Sequence, residues 1–226
     1  MKIIINSSLA QTLDKLNEAF FYNIDLPKTS RIQAAEWIAS RRGKPGSYAS
    51  MFAPTEKDFK NDIKLFTGEK VTSRAATGHI LGEEACRALI LLKPKDAEVR
   101  SALKRATAGI LKALNSAGPS SRGFFCCGTC SASLFRHLAV GGLDKNEKRL
   151  VNGLKALKSY REGNGRWGRF PFFYTLLALN EIKLKQAIKE MQYAAPVCER
   201  YLKRTKPNNK YSVRRHDLCE RVLVKC

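Results

Sequence analysis

The amino-acid sequence predicts an all-α protein assembled from repeated helix pairs, and three observations lead there. The first is self-similarity. Glu84-Ala85-Cys86-Arg87-Ala88-Leu89, Thr129-Cys130-Ser131-Ala132-Ser133-Leu134 and Tyr174-Thr175-Leu176-Leu177-Ala178-Leu179 align, and their small-Leu pairs recur every 45 residues. The second is periodicity: Val99, Leu103, Ala106, Ile110 and Leu114, and again Leu150, Val151, Leu154 and Leu157, repeat at three- and four-residue steps. The third is size. A chain of 226 residues with 44% hydrophobic content can bury a core without disulfide or metal staples.

The aligned segments are apolar nearly all round, as in a helix buried on every side, and are expected to be inner helices over 79–92, 126–140 and 170–182. The amphipathic segments are their outer partners, over 96–116, 144–161 and 183–204. Leu111-Lys112-Ala113-Leu114 and Leu154-Lys155-Ala156-Leu157 echo each other 43 residues apart, while Asp96 and the pair Asp144/Glu147 supply helix-start signals. Ahead of the repeats, Leu9, Leu13, Leu16 and Phe20 predict a first helix closed before Pro27, and Ile32 to Arg42 a second. Residues 43–78 form the longest irregular region. Pro196 is expected to kink the last outer helix, and Pro207-Asn208-Asn209 breaks the chain before a tail ending in a short helix over Asp217 to Val224. A single domain is expected over 1–226, with a repeat core at about 30–205 and a basic tail at 206–226.

Charge narrows the partners. The formal net charge is +21, and residues beyond 70 carry 30 Lys/Arg against 12 Asp/Glu. Such a field attracts a polyanion or an acidic protein, or it marks solvated outer helix faces. The tail from Pro196 holds nine Lys/Arg and three acids; it is expected to be exposed and able to engage a polyanion, unless Leu218, Val222 and Leu223 pack it on as a cap. The start, Met1-Lys2-Ile3-Ile4-Ile5-Asn6, is too short an apolar run for a secretory signal, and no stretch approaches the roughly 18 apolar residues of a membrane span. The expected location is therefore the cytoplasm, where the seven cysteines read as thiols.

The loop Arg161-Glu162-Gly163-Asn164-Gly165-Arg166-Trp167, followed by Phe170-Pro171-Phe172-Phe173-Tyr174-Thr175, has a weaker copy at Gly43-Lys44-Pro45-Gly46-Ser47-Tyr48. Asn-Gly permits a tight reversal at positive φ, and the aromatic ring then plugs the space between helix pairs. This pattern resembles the repeat of the prenyltransferase and terpenoid cyclase (squalene cyclase-like) superfamily, in which a Gly-x-Trp turn leads into an inner helix of a double ring. The resemblance spans about residues 30–205 and implies a partial or small α/α toroid. The chain contains neither the Asp-x-Asp-Asp acid motif of the cyclases nor an Asp-Asp-x-x-Asp magnesium motif, so it resembles a divergent member.

Three chemistries are candidates. Cys126, Cys127 and Cys130 offer soft ligands for zinc. His137 lies about 10 Å further along the helix axis at ~1.5 Å per residue, so other ligands such as His79 or Cys86 would be needed. The same thiols could serve as a nucleophile given a base, or be buried structural thiols, the reading favoured on composition. Glu83, Glu84 and Glu181 sit on inner helices, where pairing with Arg87, Arg136 or Arg169 is expected over acid/base work. Tyr48, Trp167, Phe170, Phe172 and Tyr174 are expected to rim a central apolar cavity, the competing reading being repeat packing. The favoured function is a binding module for an apolar or isoprenoid-like small molecule or a partner peptide. The alternatives are a divergent prenyltransferase- or cyclase-like enzyme, or a basic scaffold for nucleic acid or an acidic protein.

Overall fold

The computed structural model describes residues 2–116 and 125–226. Among them are ten helices and one two-stranded sheet, in the order α1 (Leu9–Phe21), α2 (Lys28–Ala39), α3 (Glu56–Lys60), β1 (Ile63–Lys64), β2 (Lys70–Val71), α4 (Arg74–Leu92), α5 (Ala97–Ser116), α6 (Gly128–Ala139), α7 (Asn146–Ser159), α8 (Phe172–Glu181), α9 (Lys185–Arg204) and α10 (Lys210–Lys225). Each of the six predicted inner and outer spans holds a helix over most of its described residues. No described helix is long and apolar enough to cross a membrane.

The chain divides into two compact units. The first holds α1–α5 and the hairpin strands. Its centre is α4, buried without interruption from Thr77 to Leu89, with α1, α2, α3 and α5 against it. Amphipathic α5 turns in Val99, Ala102, Ala106 and Ile110, the face that its three- and four-residue spacing predicts. Asp58 ties α3 to α1: its carboxylate accepts from the Ser8 hydroxyl at 2.5 Å, the Leu9 N–H at 2.9 Å and the Thr55 N–H at 2.8 Å. These bonds satisfy orphan donors at two helix starts with one buried side chain. The segment expected to be irregular thus contains α3, both strands, which pair antiparallel with Ile63 opposite Val71, and the start of α4.

The second unit holds α6–α10 and the segment Phe66–Glu69. Inner helices α6 and α8 are buried through Cys130–Leu138 and Tyr174–Leu179, and pack on each other with α7 and α9 alongside. Arg136 and Glu181, separated by the repeat spacing of 45 residues, form a two-pronged pair with both N···O distances at 2.9 Å. Pro171 cannot cap α8 with a side chain, and the Glu69 carboxylate accepts the Tyr174 N–H there at 3.0 Å. Pro196 sits inside α9 without ending it.

The tail departs most from expectation. Its helix begins seven residues earlier than predicted, because Asn209 accepts from the N–H groups of Tyr211 and Ser212, and the Ser212 hydroxyl returns a contact to the Asn209 N–H. It is not a free arm: Leu218, Cys219 and Val222 are fully buried against α8 and α9. The Arg214 guanidinium, itself buried, lies 4.1 Å above the Phe66 ring and donates to the Phe66 carbonyl. The tail's positive charge is carried by a structural cap whose Lys210 and Lys225 face water.

Candidate functional site

The second unit places three thiols at the start of α6, and the local sequence explains how. Cys126 adopts φ +62°, and the Cys127 N–H closes back on the Phe125 carbonyl at 2.7 Å, making a three-residue turn of a strained kind. The Ser131 hydroxyl braces this turn, accepting from the Phe125 N–H at 2.8 Å and donating to its carbonyl at 3.2 Å. Cys127 then occupies the N-cap position: its carbonyl accepts from the Ser131 N–H at 2.9 Å, and its sulfur accepts from the Cys130 N–H at 3.3 Å. A sulfur stands where a Ser or Asp oxygen is usual. The expected helix over 126–140 is corrected here, since α6 starts only at Gly128 and leaves Cys126 and Cys127 outside it.

Gly128 has its own reason. A Cβ built on it would lie 2.0 Å from the Arg169 carbonyl oxygen and 2.8 Å from the Phe170 Cα, both backbone, so no side chain fits.

The sulfurs of Cys127 and Cys130 are 3.3 Å apart, with Cys127 half-buried and Cys130 fully buried. The Cys127 thiol is pushed down to about 5, chiefly because the Cys130 thiol donates to its thiolate, with further help from the N–H of Cys130 and from Thr129. The same contact, with burial, drives Cys130 strongly the other way. Burial and the neighbouring Cys127 charge raise the exposed Cys126 thiol. One site thus holds a reachable thiolate, a buried thiol in contact with it, and a third thiol at the surface. Cys126 is in sulfur contact with both others, so the trio offers three of the four ligands that zinc takes; His137 is fully buried seven residues beyond Cys130.

Cys86 is fully buried in α4, with its thiol pushed well up by desolvation and Glu83, the behaviour of an inert structural thiol. His79, also on α4, packs at a tilt against Tyr48 with ring centroids 3.5 Å apart, and burial pushes its imidazole down. Asn17 bridges Glu84 and Arg87, accepting from Arg87 at 2.8 Å and donating to Glu84 at 3.1 Å. Arg169, a proposed carboxylate partner, is instead exposed at φ +64°.

Of the five aromatic residues, Tyr48 belongs to the first unit and the other four to the second. Trp167, Phe170, Phe172 and Tyr174 are all buried. Trp167 stacks on Phe172 at 6.0 Å and packs on Tyr193, while Phe170 meets Tyr160 edge-on. The Trp167 N–H donates to Glu190 at 3.0 Å, and Arg161 grips the same carboxylate with two bonds of 3.0 Å. The loop that delivers Trp167 reverses through Gly163 and Gly165 at φ +81° and +85° and is closed by a bridge between Arg161 and Trp167. The weaker copy at 43–48 is likewise closed by a bridge, between Arg42 and Phe52.

Sequence reasoning overlooked a second thiol pair. Cys198 on α9 and Cys219 on α10 are both fully buried and share a sulfur hydrogen bond, which lowers the first thiol and raises the second. Only the packing of α10 on α9 brings them together, so no spacing in the sequence signals it. No family model, no curated protein and no solved structure matches this chain.

Proposed function

We propose that this protein carries out thiol–disulfide exchange, with Cys127 as nucleophile and Cys130 as resolving thiol. The observation that carries the reading is the 3.3 Å contact between a half-exposed Cys127 sulfur at the mouth of α6 and a buried Cys130 sulfur one turn inward. Low-pKa thiols in Cys-x-x-Cys order at helix N-termini are the reactive class. The brace from Ser131 and the left-handed Cys126 hold the nucleophile in place, and strain of that kind concentrates at functional positions.

The chemistry balances with a disulfide as oxidant. The Cys127 thiolate attacks one sulfur of R–S–S–R′, forming a Cys127–S–S–R mixed disulfide and expelling R′–S⁻, which takes up a proton. Cys130 gives up its proton, attacks the Cys127 sulfur and expels R–S⁻, which is protonated in turn. The products are two free thiols and a Cys127–Cys130 disulfide. Closing that bond to about 2.05 Å asks for roughly an ångström of movement, which side-chain rotation provides. In the reverse direction the pair oxidises a dithiol.

The helix-pair repeat supports this reading in one respect: an inner helix buried along its length offers a rigid platform for the thiols at its first turn. The test equilibrates the protein in buffers of reduced and oxidised glutathione, traps thiols by alkylation and maps them by mass spectrometry. The expected result is a reversible disulfide confined to Cys127 and Cys130, and a glutathionyl adduct on Cys127 that accumulates in Cys130→Ser. If Cys127 stays reduced across all buffers, the proposal fails. If the protein as purified carries stoichiometric zinc that blocks alkylation of all three thiols, they are a ligand set and the exchange reading is wrong.

A further inference from the structure

A groove in the first unit, between α2 and the turn joining α4 to α5, has the build of a small-molecule site and is independent of the thiols. Its volume is about 450 Å³, inside the range of roughly 300–1,000 Å³ for such sites. The floor is apolar, formed by Ile32, Ala35, Leu92, Pro94 and Val99. Ile32 is 45% exposed, a large apolar side chain left facing water inside a concavity. The rim is cationic: Lys28, Arg31, Lys93 and Lys95 outnumber Glu36 and Asp96. Asp96 is engaged as the cap of α5, accepting the Val99 N–H at 2.8 Å. Arg31 is held at the wall by donating to the Leu92 carbonyl at 3.0 Å, the α4 end that Lys93 closes in a left-handed conformation at φ +51°.

We infer that this groove binds a medium- to long-chain carboxylate, its hydrocarbon chain on the Ile32–Leu92–Val99 floor and its head group among the rim lysines. The charge on the rim selects an anion over a neutral lipid, and a volume of this size suits one flexible chain. Burying the chain removes apolar surface from water, and lysines at the mouth leave the carboxylate partly solvated and paired.

The test titrates the full chain with a fluorescent undecanoate and with its methyl ester. Saturable binding of the acid, displaced by unlabelled dodecanoate and at least tenfold tighter than the ester, is expected. Ile32→Glu should weaken it tenfold or more while leaving the circular dichroism and melting temperature unchanged, because Ile32 is already exposed. Lys28→Glu with Lys95→Glu should weaken the acid and leave the ester unaffected. Absence of saturable binding, equal binding of acid and ester, or indifference to Ile32→Glu overturns the inference. Tight binding of an acidic amphipathic peptide without any binding of the acid overturns it too, and reassigns the groove to a protein partner.

Discussion

Alkylation of Cys127 should outpace that of an ordinary exposed thiol in mildly acidic solution, and the size of the advantage follows from the site. The thiol is pushed from an ordinary value of 9.0 to about 5. At about pH 6 roughly nine-tenths of Cys127 is thiolate, against about one part in a thousand for a thiol at its ordinary value. That is an advantage of about a thousandfold in reactive form. A less basic thiolate is a poorer nucleophile, and a Brønsted slope of about 0.4–0.5 over four units of pKa returns about 40- to 100-fold of it. The net expectation is that iodoacetamide modifies Cys127 about 10- to 25-fold faster than an ordinary exposed thiol. Cys226 is the internal reference: it is exposed, and burial raises its thiol. The sign is fixed by the depressed value: reactivity is lost as pH falls through about 5 and is flat above it, while Cys226 keeps gaining toward alkaline pH. Rates at the two cysteines, read by peptide mass spectrometry across the pH range, test both the ratio and the midpoint. Cys130→Ala removes the largest cause of the shift and should move the Cys127 midpoint upward. A midpoint at or above about 8 in the parent protein, or one unmoved by Cys130→Ala, would refute the reasoning.

Glu181→Leu takes the two-pronged carboxylate away from the buried Arg136 guanidinium, so a loss of about 3 kcal/mol is expected, the low end for a broken buried pair because Glu181 keeps some exposure. Melting should fall by about 6–12 °C, and Arg136→Met added to it should restore part of the loss. A stability change below about 0.5 kcal/mol would mean the pair contributes nothing. Trp167→Ala empties a buried ring site and leaves Glu190 without one donor; about 3–5 kcal/mol should be lost in urea unfolding. A variant as stable as the parent would contradict the packing described for Trp167. Deleting residues 207–226 removes the buried Leu218, Cys219 and Val222 and exposes the faces of α8 and α9 that they cover, and should abolish cooperative melting of the second unit. Retained melting with weakened heparin binding would instead make the tail a binding arm.

Much of the helical framework was legible because the relevant signals are local. Outer helices announce themselves by apolar steps of three and four, as Val99, Ala106 and Ile110 do, and inner helices by the lack of any polar face. The expected pairing of inner-helix acids with neighbouring arginines holds at Arg136 and Glu181, whose spacing is the repeat itself. What escaped depends on single hydrogen bonds. The Cys127–Gly128 boundary rests on a sulfur cap, a rare chemistry that composition does not suggest. Thr55-x-x-Asp58 and Asn209-x-x-Ser212 are cap signals visible in the chain, yet they stand in segments whose scattered Gly, Pro and Asn suggested loops. The thiol trio was in view as residues, read as metal ligands, as core thiols or as a nucleophile in need of a base. The depressed Cys127 thiol rests chiefly on the Cys130 contact that the N-cap turn sets up, which periodicity cannot report.

The crowding at Gly128 limits how this dithiol can diverge. Cys-x-x-Cys pairs range widely in acidity and potential, and the residues between the cysteines are the obvious place to retune them. Here the first is locked, because the Arg169–Phe170 backbone occupies the space of any side chain. Thr129 is the other residue between the cysteines, and it already touches the Cys127 thiolate through its N–H and hydroxyl. Between the two cysteines, a substitution that alters the proposed exchange pair therefore falls on Thr129 unless the loop that carries Arg169 is redrawn.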